Sequence, residues 1–168
     1  MIPIIIIIIS ILIDGILTNF LPYLVNDLSI FTPLLTVVSI FIIYPFYRKQ
    51  NKKYYKTVFL IGIIYDLFYT NLLFFNAILF LIIALISVFI HKHYEVSWFS
   101  IIIYIALIIS IYEILTGGII FMFKLVPISI NKIIYKISHS LLLNIIYIEI
   151  IYVILKLIPK KYKKISIN

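Results

Sequence analysis

The chain has 168 residues, 65% of them hydrophobic and 12% charged, with a formal net charge of +8 and no cysteine. A mean hydropathy of +1.25 lies far outside the range of soluble domains and requires an integral membrane protein, with no room in these residues for a separate soluble domain. The missing cysteine excludes disulfides, thiolate metal sites and a cysteine nucleophile.

Ten of the fourteen basic residues fall in two places, Arg48 to Lys56 and Lys156 to Lys164. Short polar segments that collect Lys and Arg are the mark of cytoplasmic loops, so the charge reports topology and contact with anionic lipid, and no nucleic-acid partner is expected. The run of isoleucines near the start reflects a composition rich in Ile, Tyr, Phe, Asn and Lys, and implies no special role.

In chain order, the first apolar run has no basic leader and no small-residue cleavage site, and is expected to be a retained helix over about residues 2–21. A linker containing Asp27 follows. Pro33 then favours a second span over about 32–47. The basic loop Arg48, Lys49, Lys52, Lys53 and Lys56 separates it from a long apolar stretch that must fold back on itself, because about 20 residues already cross the hydrocarbon core. Its least apolar point, Tyr69 to Asn71, divides it into a short third span over 56–69 and a fourth over 72–90. The polar break His91 to Glu95 leads to a fifth span over 98–121, where Gly117 and Gly118 weaken the last turns. The stretch from Phe123 to Ser138 carries recurrent lysines and a proline and is expected to lie along the membrane interface. A sixth span over 138–158 ends before the basic tail.

The fold class expected is therefore all-α, a polytopic membrane protein of six helices in a single membrane domain. With both termini in the cytoplasm, the inner segments carry five, one and five basic residues and the outer ones none, none and three. That asymmetry favours an N-in, C-in orientation.

Four acids fall inside expected spans: Asp14, Asp66, Glu113 and Glu149. An ionised, unpaired acid costs about 2.5 to 3.5 kcal/mol near a membrane helix centre, so each should face another helix or a hydrated crevice. They lack the regular spacing of an ion path, which favours packing or partner contact over transport. Gly62, Asp66 and Tyr69 follow i, i+4, i+7 and share one helical face. Gly62 there allows a close backbone approach and Asp66 a hydrogen bond to the approaching group. Asp66 also lies close to the end of its short helix, near enough to the surface to be tolerated.

His91 and His93, with Glu95 alone beside them, make a poor metal set, and His139 stands by itself. No phosphate-binding glycine loop, nucleophile elbow or zinc-protease motif is present. Neither a cofactor nor an enzymatic activity is expected. Tyr44, Tyr47, Tyr54, Tyr55, Tyr94, Trp98 and Tyr162 sit at span ends, where amphipathic rings anchor at headgroup level.

The order Phe31 to Tyr47, basic loop, then Gly62 to Ile86 resembles the rod shape-determining MreD family, whose pattern is a Pro-led second span followed by a Gly-Leu-Leu-x-Asp-like element. Pro33, Gly62 and Asp66 match it, and the likeness is confined to residues 31–86. The resemblance implies a non-enzymatic subunit of the bacterial cell-elongation machinery in the plasma membrane. Its implied partners are an MreC-like protein, the actin-like MreB, a SEDS glycosyltransferase and a class B penicillin-binding protein. The alternative is the substrate-binding S component of an energy-coupling-factor vitamin transporter, similar in size and helix number. Such components dock through small residues spaced along their first helix, and here that helix has no small-x-x-x-small pair.

Overall fold

Long apolar runs with few prolines leave the backbone to satisfy its own hydrogen bonds, which inside a bilayer means helices. The computed structural model describes residues 2–20, 33–70, 72–123 and 130–157, and these are all-helical. The helices are α1 (Ile2–Phe20), α2 (Leu35–Ile43) running on into a 3-10 turn (Tyr44–Tyr47), α3 (Asn51–Tyr69), α4 (Phe75–His93), α5 (Trp98–Met122) and α6 (Ile130–Leu157). Four of them, α1, α4, α5 and α6, are long and apolar enough to cross a membrane. Helix α2 with its turn is shorter, and α3 begins with a lysine-bearing end.

The centre of the molecule is α2. All nine of its residues are buried, and it packs against α1, α4, α5 and α6. Helices α3 and α4 form one antiparallel hairpin, and α5 and α6 form a second. The outward faces of α1, α5 and α6 present Ile8, Leu12, Ile103, Leu107, Ile146 and Val153. Faces of this kind are what a lipid-facing surface requires.

Several boundaries differ from the sequence expectation. Helix α3 starts at Asn51, so the connection after α2 is only Arg48 to Gln50, while Lys52, Lys53 and Lys56 ride on the helix. The cause is Tyr54, fully buried, whose hydroxyl donates to the Ile40 carbonyl at 2.8 Å and draws the first turns of α3 against α2. Helix α4 ends at His93, so His91, Lys92 and His93 form its last turn instead of a break. Basic side chains suit a helix C-terminus. Helix α5 continues through Gly117 and Gly118 to Met122, and the Ile133 side chain of α6 occupies the space a Cβ at Gly117 would need. Residues Ile130 to Ile137, expected along the interface, are the first two turns of the 28-residue α6. Part of the aromatic belt is core: Tyr44, Tyr47 and Tyr54 are buried, with the Tyr54 ring 5.2 Å from that of Tyr44 and 5.7 Å from that of Tyr47. Tyr94 and Trp98 are exposed at a helix junction. Asp27, Asn71, Lys124, Tyr162 and the basic tail lie outside the described residues.

Candidate functional site

Two of the four acids have the same task. Each sits on one helix and holds the N-terminus of another, where the first backbone N–H groups lack helical partners and the helix dipole favours negative charge.

Asp14 of α1 holds α2. Its Oδ1 accepts from the Leu35 amide at 3.0 Å, and its Oδ2 accepts from the Thr36 amide at 2.9 Å and the Thr36 hydroxyl at 2.6 Å. Just before them, the Leu34 amide donates to Asn144 Oδ1 of α6 at 3.1 Å. Three successive amides of the central helix are thus satisfied by side chains of two other helices. Pro33 is buried immediately ahead of this cap.

One turn along the same three helices lies a hydroxyl cluster. Ser10 is 2.5 Å from Ser39 and 2.5 Å from the Tyr147 hydroxyl, and Ser39 is 3.1 Å from Tyr147. The spacing is regular: Ser10 and Asp14 are i, i+4, while Thr36 and Ser39, and Asn144 and Tyr147, are each i, i+3. All six therefore form one polar ladder between α1, α2 and α6. The sequence singles out only Asp14; Ser10, Thr36, Ser39 and Asn144 are legible as small polar residues inside apolar runs, and Tyr147 carries no such signal.

Asp66 of α3 holds α4. Its Oδ1 accepts from the Asn76 amide at 3.0 Å, the Asn76 side-chain amide at 2.8 Å and the Thr70 hydroxyl at 3.0 Å. Its Oδ2 accepts from the Ala77 amide at 3.2 Å. Tyr112 of α5 donates to Asn76 Oδ1 at 2.7 Å, tying a third helix to the cap. Phe74, directly before α4, adopts the left-handed backbone with φ 68°. That conformation costs a non-glycine residue about 1 kcal/mol or more, and the grip of Asp66 on the next turn offsets it. Asp66 lies three residues from the end of α3, and its carboxylate, 0% exposed, is satisfied through these hydrogen bonds.

The other members of the Gly62, Asp66 and Tyr69 face are also met by this same chain. A Cβ at Gly62 would collide with the Ala77 backbone, so the close approach that glycine permits is that of α4. Tyr69 donates to the Ile11 carbonyl of α1 at 2.8 Å, and its ring covers the Cα of Gly15.

The remaining acids behave differently. Glu113 on α5 is 7% exposed, and Lys136 of α6 is within electrostatic reach of it. Glu149 is exposed on α6. Of the cytoplasmic basic set, Arg48 and Lys49 are exposed beside the 3-10 turn, and Lys52 and Lys53 lie in the first turn of α3 with Lys56 one turn on.

Among the described residues no group of three His, Asp or Glu side chains could hold a metal ion. His91 and His93 are engaged locally, with Nδ1 2.9 Å from the carbonyls of Ser87 and Phe89 respectively. His139 stacks on Tyr135, ring centroids 3.7 Å apart. No family model, curated protein or solved structure matches the chain.

Proposed function

We propose that this chain is a non-enzymatic scaffold subunit of the bacterial cell-elongation machinery, a six-span plasma-membrane protein of the MreD type with both termini in the cytoplasm. In this role its helix faces hold an MreC-like protein and, through it, MreB, a SEDS glycosyltransferase and a class B penicillin-binding protein. Family resemblance carries the assignment of pathway.

The observation that supports a scaffold is the occupation of Asp14 and Asp66. Both carboxylates accept from the first backbone amides of a second helix, and apart from the Thr70 hydroxyl at the end of Asp66's own helix their side-chain contacts join one helix of the bundle to another. A proton or cation path needs acids that can release and rebind their charge along a hydrated route, whereas these two fix the relative positions of α1, α2, α3 and α4.

Depletion in a rod-shaped host is expected to round the cells, and purification in mild detergent to recover an MreC-like protein. Rods that persist after confirmed depletion, with no such partner recovered, would overturn the reading. Reporter fusions at either end should be active only in the cytoplasm, and an extracytoplasmic signal from one of them would break the topology.

A further inference from the structure

Beyond the scaffold role, one end of the bundle carries a cleft of about 500 Å3, within the range typical of small-molecule sites. It opens between the 3-10 turn after α2, the last turn of α4, the connection to α5 and the final turns of α6. Its floor is apolar, formed by Phe41, Ile42, Ile101, Ile148 and Leu155. Its remaining lining is polar and cationic: Arg48 and Lys92 outnumber the single carboxylate of Glu95, and His91 and His93 complete it.

Three features give the cleft a direction. Arg48 comes from the end of the 3-10 turn and Lys92 from the end of α4, so the two cations reach the cleft from separate elements. Ser97, also in the lining, caps α5, and the positive end of that helix dipole faces the same space. His91 is packed between aromatic rings, with Phe41 at 4.4 Å and Tyr44 at 5.1 Å. Its Nδ1 lies 2.9 Å from the Ser87 carbonyl and must donate to it, since a carbonyl only accepts, which fixes the ring in the cleft wall.

An occupant must therefore be anionic at one end and apolar at the other. We infer that this cleft binds an anionic phospholipid, with the phosphate between Arg48 and Lys92 and the first methylenes of an acyl chain over Ile101 and Ile148. A guanidinium and an ammonium on separate elements match a phosphate diester, which offers charge-assisted hydrogen bonds to both. The apolar floor distinguishes this site from the lysines on α3, which attract anionic membranes only by surface charge.

The full chain would be placed in nanodiscs of equal phosphatidylglycerol and phosphatidylcholine, extracted gently, and its retained lipid counted by native mass spectrometry. The expected result is one phosphatidylglycerol per chain. Its retention should fall about tenfold in an Arg48→Gln/Lys92→Gln variant and comparably when Ile101→Trp fills the floor. A Lys52→Gln/Lys53→Gln variant, of equal charge change but outside the cleft, should retain it. Undiminished retention in both cleft variants would overturn the site, and so would equal loss from the α3 variant, which would signify diffuse surface charge. Millimolar inorganic phosphate is expected to leave the lipid bound. Complete displacement by phosphate would show that the cationic lining takes a free anion and that the floor contributes nothing.

Discussion

The caps at Asp14 and Asp66 are built from the same chemistry at different reach along the chain. Asp66 holds amides only 10 and 11 residues further on, within one hairpin, beside a turn whose residues Leu72, Leu73 and Phe74 are exposed. Asp14 holds amides 21 and 22 residues on, at the start of a helix buried on every side, and shares the task with Asn144 from 110 residues away. The first cap can form as soon as α3 and α4 meet. The second requires α1, α2 and α6 together, so it reports on the whole bundle.

That difference sets the order of expected effects. Asp14→Ala orphans the Leu35 and Thr36 amides in the buried interior of the bundle. At roughly 1–3 kcal/mol for each buried unsatisfied group, the loss should be about 4 kcal/mol. Asp66→Ala orphans the Asn76 and Ala77 amides next to an exposed turn that can admit solvent, and about 2 kcal/mol is expected. Unfolding titrations of the purified protein in mixed micelles would compare them. A larger loss from Asp66→Ala would reverse the ranking and show that the hairpin, and not the central helix, limits stability.

A smaller effect tests whether the Asp66 cap is confined to its hairpin. Tyr112→Phe removes one hydroxyl that donates to Asn76 Oδ1, and should cost about 1 kcal/mol in the otherwise intact protein. In the Asp66→Ala background Asn76 is freed to reorient, so the same substitution should cost much less. A double-mutant cycle measures this directly. Strict additivity would mean that α5 leans on Asn76 independently of the carboxylate, and the cap would then be a two-helix device.

The sequence makes the helices legible because apolar runs of this length allow little else, and their junctions legible wherever proline or a cluster of charge interrupts them. It misplaces the ends at Asn51, His93 and Ile130 because those ends are set by tertiary contacts. The buried Tyr54 extends α3, and α6 extends to bring Ile133 against Gly117. The acids were visible as costs, but not their solutions. Asp66 and Gly62 share a helical face that spacing alone reveals, whereas the group they meet, the start of α4, follows from the turn geometry around Phe74. The partners of Asp14 lie on α2 and α6, and no local pattern connects residues separated by 22 and 110 positions.

The smallest expected effect concerns an acid that takes part in neither cap. Glu149 is exposed on α6, and its neighbours on that surface, Ile146, Ile150 and Val153, are exposed as well. Side chains on a helix lean toward its N-terminus, which carries this carboxylate away from the nearer end of the helix and along the apolar face. Since it satisfies no donor among the described residues, Glu149→Gln should change stability by less than about 0.5 kcal/mol, the usual range for a surface substitution. The unfolding titrations that rank the caps would read it. A loss comparable to that of Asp66→Ala would mean that Glu149 also holds the bundle together, and the division between acids that cap helices and acids that face outward would fail. An unchanged stability combined with weaker recovery of an MreC-like protein would instead place the outward acid at the scaffold's contact surface, where an unpaired carboxylate beside lipid gains most from a donor on another chain.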